Sequence, residues 1–298
     1  MTEVAMDVGI VGLGSIGGSL GLDLRDRGCR VFGVSRRSST CETALHLGAV
    51  DRAGTDLSLL GQTDVVFVCT PIDSIAPTVE QLVPHVSEHT TITDVGSVKA
   101  PVVAAVAPLW PNYVGGHPMA GTEHFGIDAA RRDLFVGAPY VLTPSATTLP
   151  HAIQCVEALA RSLGSHTYRC APDVHDRAVA WISHLPLFVS AATIATCLEE
   201  PDTEVLRLAR AFASSGFRDT TRVGGGNPEL GVMVARHNRD ALLDAIAQYR
   251  RVLDRLTDSI ANEDWNALAN LLQRTRDERL TFLRDRPECN GRETDSET

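Results

Sequence analysis

The sequence predicts an α/β fold: a doubly wound, mostly parallel sheet followed by an all-α C-terminal domain. Three observations predict it. Short apolar runs alternate with helical segments through the first half of the chain. The first of those runs leads into Gly12-Leu13-Gly14-Ser15-Ile16-Gly17. The patterning then turns wholly helical beyond Ala171-Pro172-Asp173.

Strands are expected at residues 7–11, 30–34, 64–70, 91–95, 113–116, 140–143 and 166–170. Continuous runs such as Val65-Val66-Phe67-Val68 suit strands covered on both faces, as in a parallel sheet. Helical segments fall between them, for example 16–27 and 101–109. Strand and helix in alternation make βαβ units and a Rossmann-type sheet. Residues 1–171 are therefore expected to form a dinucleotide-binding domain, and 172–284 a helical domain. The stretch 172–198 is apolar on more than one face, and Pro186 inside it predicts a kink. Leu242, Ile246, Tyr249, Leu253 and Leu256 recur at three- and four-residue steps, as an amphipathic helix requires. Residues 265–283 follow the same pattern. A multi-faced apolar helix in a small helical domain predicts packing against a second copy, hence a homodimer. The stretch 214–227, SSGFRDTTRVGGGN, reads as a functional loop carrying Arg218, Asp219 and Arg222. The polar tail 285–298 is expected to be disordered.

Composition narrows the function. The chain has 298 residues, 44% of them hydrophobic, so a sizeable core can form. The formal net charge of −10 repels phosphate backbones, which argues against a nucleic-acid partner. An anionic ligand then needs a local basic site. No apolar run approaches the ~20 residues of a membrane helix, and the N-terminus lacks the basic segment of a signal peptide. The seven cysteines, Cys29, Cys41, Cys69, Cys155, Cys170, Cys197 and Cys289, are scattered and form no CxxC pair. That pattern predicts reduced thiols, a cytoplasmic location and no metal site. Lys99 is the only lysine among 27 basic residues, so the other 26 are arginine.

The glycine motif follows an apolar strand and opens a helix, which is the context that gives it meaning. Gly12 permits the tight turn, Gly14 allows close approach of a pyrophosphate, and Gly17 lets the helix pack on the strand. Ser15 and Ile16 begin the helix, whose free N–H groups and positive dipole end suit the phosphates. At the end of the second strand an NAD site would carry Asp or Glu to bind the ribose 2′-hydroxyl. Ser35-Arg36-Arg37 stands there instead. Arginine and a hydroxyl suit a 2′-phosphate, so NADP is the expected cofactor. Two solvated surface arginines are the plainer alternative. Thr70 and Pro71 end another buried strand at the carboxyl edge, where ligands bind in such sheets.

Three clusters are candidates for the chemistry. In Asp94-Val95-Gly96-Ser97-Val98-Lys99, Ser97 is placed either as a helix cap or as a ligand contact. Asp94 is equally a turn former or a site residue. Lys99, expected in the first helical turn, opposes the helix dipole, which points to a role in the site. In Gly115-Gly116-His117-Pro118, His117 sits at a strand end with no packing reason to be there, and histidine is the usual general base near neutral pH. His184 adjoins the Pro186 break, either as a ligand contact or satisfied by backbone carbonyls.

GLGSIGGSL, VFVCTPI, DVGSVK, GGHPMAGTE, AVAWISHLP and SSGFRDTTRVGGGNPELG together resemble the prephenate/arogenate dehydrogenases of tyrosine biosynthesis, most of all the cyanobacterial-type, NADP-dependent arogenate dehydrogenases. The resemblance runs from about residue 7 to 284, with six separated motifs in order. It implies a Rossmann domain with a helical dimerisation domain. It also implies oxidative decarboxylation of a cyclohexadienyl substrate, with hydride passing to the nicotinamide. His117 resembles the histidine that accepts the proton of the substrate 4-hydroxyl, and Ser97 the serine that orients that hydroxyl. Arg218 resembles the arginine that binds the substrate carboxylate, and Lys99 is grouped with the substrate-binding residues, with positioning of Ser97 and Asp94 rather than ligand contact as the alternative. His184 matches the first histidine of an HLPH-like motif whose second histidine is here Leu187. Asp219, beside Arg218, is a candidate partner for the ammonium that distinguishes arogenate from the keto acid prephenate. A prephenate or dual-specificity enzyme is the near alternative. A 3-hydroxyacid or imine reductase would be expected to carry a catalytic lysine in the helical domain, and no lysine follows Lys99. A non-catalytic NADP-binding regulator would need neither His117 nor Arg218.

Overall fold

The computed structural model describes residues 6–121 and 124–283. The tail expected at 285–298 and Cys289 lie outside the described residues. By internal contacts the chain divides into two compact units, Met1–Leu243 and Asp244–Thr298.

The first unit begins with β1 (Asp7–Val11), α1 (Ser15–Asp26), β2 (Arg30–Val34), α2 (Ser38–His46) and the short β3 (Arg52–Gly54). It continues with β4 (Val65–Val68), α3 (Ile72–Leu82), β5 (Thr91–Asp94) and α4 (Ala100–Val106). Then come β6 (Tyr113–Pro118), β7 (Pro139–Thr143), α5 (Pro150–Ser162) and β8 (His166–Arg169). Its helical part is α6 (Pro172–Val179), a π-helical turn at Ala180–His184, α7 (Leu185–Leu198), α8 (Thr203–Phe212), α9 (Ser215–Thr221) and α10 (Pro228–His237). The long α11 (Arg239–Ala261) crosses into the second unit, which also holds α12 (Trp265–Leu283).

The eight strands form one sheet in the order β3-β2-β1-β4-β5-β6-β7-β8. The order reverses direction between β1 and β4, the position where doubly wound sheets open a crevice for a ligand. Every pairing is parallel except β6 with β7. Alternate residues of the central strands point to opposite faces. Val8, Ile10 and Phe67 pack under Leu20 and Leu24 of α1, while Val66 and Val68 pack under Val79 of α3 and Val103 of α4. Burying such a side chain contributes about 1.5–3 kcal/mol, and both layers are nearly dry. This is why the strands read as continuous apolar runs.

Strands β1 and β2 coincide with the expected spans. The sequence did not signal β3, whose three residues are too few to carry a periodicity. The segment 214–227 is not a loop. Residues 215–221 form α9, and the Gly-rich residues 223–225 make a 3₁₀ turn held to α7 by the Gly224 N–H donating to Ser190 Oγ at 2.8 Å. In α9 the Thr221 hydroxyl is satisfied locally, donating to the Phe217 carbonyl at 2.6 Å. Pro186 does not end its helix. The π turn immediately before it accommodates the lost backbone bond, so residues 172–198 run as one helix. That helix is long and apolar enough to cross a membrane by length and composition, with a mean hydropathy of 1.6 in its apolar window. This corrects the expectation that no stretch reaches that mark: His184 and Pro186 interrupt the apolar run without lowering its mean much. Only 22% of the window is buried within the chain.

One further element positions the site. The segment after β6 lies along α1, whose residues at four-step spacing hold its backbone. Ser19 Oγ accepts the Arg131 N–H at 3.0 Å, and Asp23 Oδ1 accepts that of Asp133 at 2.9 Å. Burial pushes the Asp23 carboxyl pKa up, opposed by this backbone bond. Ser19→Ala strips the part-buried Arg131 N–H of its acceptor, which costs about 0.5–1.5 kcal/mol. Denaturant unfolding is expected to show that loss, with faster amide exchange at Arg131; unchanged exchange there would mean that the segment is held by other contacts.

Candidate active site

The reversal in strand order brings the end of β1 against the end of β4. The Cys69 N–H donates to the Val11 carbonyl at 2.7 Å, and Gly12 has a φ of +98°. A Cβ on Gly12 would lie 2.6 Å from the Cys69 carbonyl oxygen, and one on Gly17 would lie 2.1 Å from that of Gly12. Both positions therefore demand glycine. Above Gly14 the space is open to at least 4 Å. Gly14 is the N-cap of α1 and supplies no side-chain cap, and a helix N-terminus of this kind suits an anion. Thr70 Oγ1 is buried at the end of β4 with no hydrogen-bond partner among the described residues. An open glycine cradle, an uncapped helix start and an orphaned hydroxyl fit a dinucleotide. Ser35 is half-buried at the end of β2, and Arg36 and Arg37 are exposed beside it. Pro71 caps α3 in an extended conformation.

His117 is not exposed at a strand end as expected. It lies within β6, paired with Val141 of β7, and is 9% exposed. Its Nδ1 is 2.8 Å from Nε2 of His175, and Nδ1 of His175 is 2.8 Å from Oδ1 of Asp176. The Asp176 carboxylate also accepts the backbone N–H groups of Lys99 at 2.7 Å and Ala100 at 2.8 Å. These bonds fix the tautomers in turn. A carboxylate accepts, so His175 Nδ1 donates to it. In a neutral His175 ring Nε2 is then the acceptor, and it takes a hydrogen bond donated by His117 Nδ1. The His117 Nε2 lone pair is left bare, with no partner among the described residues. Burial pushes the His117 pKa well below 6.5, and the nearby His175, Lys99 and His184 push it the same way. His117 is thus a neutral imidazole with one basic nitrogen free.

Asp176 is tied to a second histidine. Asn238 donates one amide hydrogen to the Asp176 backbone carbonyl at 2.7 Å and the other to His184 Nδ1 at 3.1 Å. That leaves the His184 proton on Nε2, so this ring presents a donor. Burial lowers the His184 pKa to about 4, with Asp176 opposing the shift.

Around the β5–α4 turn, Asp94 is no simple turn former. It is fully buried and accepts the Tyr113 hydroxyl at 2.7 Å, the Gly116 N–H at 3.2 Å and the Gly96 N–H at 2.9 Å, and it pairs with the Lys99 ammonium. Ser97 is half-buried and is not a cap; the N-cap of α4 is Lys99. Of the two expectations for Lys99, a substrate contact or the positioning of its neighbours, the geometry goes against the contact. Its side chain is 0% exposed and its ammonium is turned inward to Asp94 and to the Gly116 carbonyl at 2.8 Å. The dipole conflict expected of it is met by the Asp176 carboxylate at the start of α4. Arg218 and Asp219 lie on exposed α9, paired with each other at 3.0 Å. The structure thus gathers His117, His184 and Lys99 into one network, together with His175, Asp176, Asn238 and Asp94. It brings no contact between that network and Arg218 or Asp219. Sequence reasoning missed His175, Asp176 and Asn238. The adjacent His-Asp pair was the one available signal.

Comparison with known proteins follows from this arrangement. Residues 20–169 match the family description "Prephenate dehydrogenase, nucleotide-binding domain", and residues 171–274 match "Prephenate dehydrogenase, dimerization domain". The crystal structure of Synechocystis arogenate dehydrogenase is 51% identical, covering 93% of this chain and 100% of that one, with a TM-score of 0.84. Prephenate dehydrogenase from Aquifex aeolicus, in complex with hydroxyphenyl propionate and NAD+, is 27% identical over 95% of this chain and 100% of that one, with a TM-score of 0.88. The prephenate dehydrogenase of Bacillus subtilis is 32% identical over 94% of this chain and 76% of its own length.

The two depressed histidines set a pH dependence. Between about 6.5 in the unfolded chain and about 4 for folded His184, the unfolded state binds more protons, so stability falls as pH falls through that window. His117 contributes with the same sign. Denaturant midpoints measured from pH 7 to pH 4 are expected to fall, and the His184→Gln variant is expected to fall less; an equal slope would show that His184 titrates normally.

Proposed function

The chain belongs to the prephenate dehydrogenase family, and on that premise we propose that it is an NADP-dependent arogenate dehydrogenase, acting as a cytoplasmic homodimer. The observation that carries the reading is the hydrogen-bond chain Asp176–His175–His117, which leaves one bare basic nitrogen in a buried site. The likeness to Synechocystis arogenate dehydrogenase supports the choice of substrate.

Gly12, Gly14 and Gly17, with the first N–H groups of α1 at Ser15 and Ile16, would cradle the pyrophosphate. Thr70 and Pro71 would border the nicotinamide end. Ser35, Arg36 and Arg37 would hold the 2′-phosphate, because their positive charge stands where an NAD site needs a carboxylate. When bound, the nicotinamide supplies the hydride acceptor for C4 of the substrate ring.

His117 Nε2 accepts the proton of the 4-hydroxyl as that hydride departs. The resulting imidazolium is stabilised through His175 by Asp176, in the manner of a hydrolase triad. Ser97, on the turn after β5, orients the hydroxyl. Loss of the ring carboxylate as carbon dioxide leaves its electron pair in the ring, which becomes aromatic, and the phenol oxygen regains the proton from His117. The His184 Nε2–H is a donor suited to a substrate oxygen. Arg218 and Asp219 mirror the zwitterionic end of arogenate: the exposed pair opens, Arg218 taking the carboxylate and Asp219 the ammonium. Prephenate has no ammonium to replace the lost partner of Asp219. Exposed apolar residues in the helical part, among them Phe212 at 72%, Leu198 at 59% and Ile182 at 57%, support pairing with a second copy.

Purified protein is expected to show a large preference in kcat/KM for arogenate over prephenate with NADP, and Asp219→Asn is expected to narrow it. His117→Asn is expected to lose about 10²–10⁴-fold in kcat while still binding NADP. Equal use of both substrates would instead make the enzyme a dual cyclohexadienyl dehydrogenase. For the cofactor, replacing both Arg36 and Arg37 by Ala removes charged hydrogen bonds of about 1.5–3 kcal/mol each. NADP binding is expected to weaken at least tenfold with NAD binding unaffected; equal weakening of both would place the arginines outside the 2′-phosphate site.

A further inference from the structure

Lys99 is the only lysine in a chain that otherwise uses arginine for every basic position, and its side chain is wholly enclosed. It sits where the sheet is least able to hold itself. The β5–β6 ladder pairs Ile92 with Tyr113 and Thr93 with Val114, and then stops. From Gly115 onward β6 pairs with β7 alone. On its β5 side, Gly116 is held by side chains: its N–H donates to Asp94 Oδ1 at 3.2 Å, and its carbonyl accepts from Lys99 Nζ at 2.8 Å. The next residue is His117. A Cβ on Gly116 would approach the Asp94 backbone oxygen to 2.6 Å, so the strands are already in close contact there. The backbone N–H of Lys99 meanwhile donates to Asp176, which anchors the His175 ring against His117 Nδ1.

We propose that Lys99 is a positioning residue: its buried ammonium, paired with Asp94, holds the Gly116 carbonyl and so fixes the backbone from which the His117 base projects. The role rests on the reaction proposed above. It also explains why lysine stands here. A compact ammonium satisfies its donors on one carboxylate and one carbonyl, whereas a guanidinium brings five donors in a rigid plane that this dry space cannot partner. The ammonium has a second effect, because a positive charge near His117 opposes its protonation. The groups that bear on His117 are His175 from α6, His184 from the π turn, and the Lys99–Asp94 pair between β5 and β6, with Asp176 behind His175.

Lys99→Met alone would leave Asp94 buried without its counter-ion and can unfold the chain. The decisive variant is Asp94→Asn combined with Lys99→Met, which removes both charges, and Lys99→Arg is its charged control. Folding is checked by circular dichroism and NADP binding. The double variant is expected to bind NADP as before and to lose about 10²-fold in kcat, the effect of a base misplaced by about an ångström. The acid limb of its kcat profile is expected to move to higher pH. Lys99→Arg is expected to lose kcat as well, although the charge remains. The His117 titration, followed by ¹³C NMR at Cε1, is expected to have a higher midpoint in the double variant. A folded double variant with unchanged kcat and unchanged His117 midpoint would overturn the proposal, as would full activity in Lys99→Arg. Wild-type protein that turns over neither substrate would count against the proposed reaction, while the His117 titration would still decide the role of Lys99.

Discussion

The Asp176 carboxylate is the acceptor on which the rest of the site depends. One of its oxygens takes the His175 ring and the Lys99 N–H, and the other takes the Ala100 N–H. It therefore joins the first helix of the helical segment to the start of α4 in the sheet domain. A buried carboxylate that accepts from three donors is held in one orientation by them. From that single condition the tautomers of His175 and His117 follow, and with them the position of the free lone pair. The Asp176 backbone carbonyl adds Asn238 and, through it, His184. One residue thus prepares a base on one ring and a donor on another.

The site also depends on where the sheet changes character. Strand β6 is parallel to β5 for two residue pairs and antiparallel to β7 thereafter. A change of partner leaves backbone groups without ladder bonds on one side, and such groups must be met when buried. Asp94 and Lys99 meet them at Gly116. The burial that makes this ion pair costly to assemble also keeps it rigid. The charge pattern of the whole chain fits the same picture: the net charge is −10, yet the groups expected to bind anions are concentrated at Arg36 and Arg37 after β2 and at Arg218 on α9.

Much of the fold was legible in the sequence because its signals are local. A glycine at φ +98° beside a strand end, or a run of four β-branched and aromatic residues, declares itself within a few positions. His117 was singled out for the same reason, since glycines stand beside it, but its burial was not foreseen. What was not legible joins distant positions. The His117–His175 contact spans 58 residues, Lys99 to Asp176 spans 77, and His184 to Asn238 spans 54. No periodicity carries such pairings. Lys99 illustrates the difference. Its rarity marked it from the composition, but its direction, inward to Asp94 and the Gly116 carbonyl, came from the fold. The stretch 214–227 misled because Gly, Ser and Thr suggest a loop, while the glycine turn that follows the short helix is held to α7 through Gly224 and Ser190.

The central claim is that Asp176, acting through His175, leaves His117 with its proton on Nδ1 and its lone pair on Nε2. The most direct test is ¹⁵N NMR of the histidine side chains at neutral pH, with the His117 signals identified by their loss in a His117 variant. The account predicts a protonated Nδ1 and an unprotonated Nε2 in His117, and the reverse occupancy of nitrogens in His184. A His117 proton found on Nε2, or a ring exchanging freely between the two forms, would contradict it.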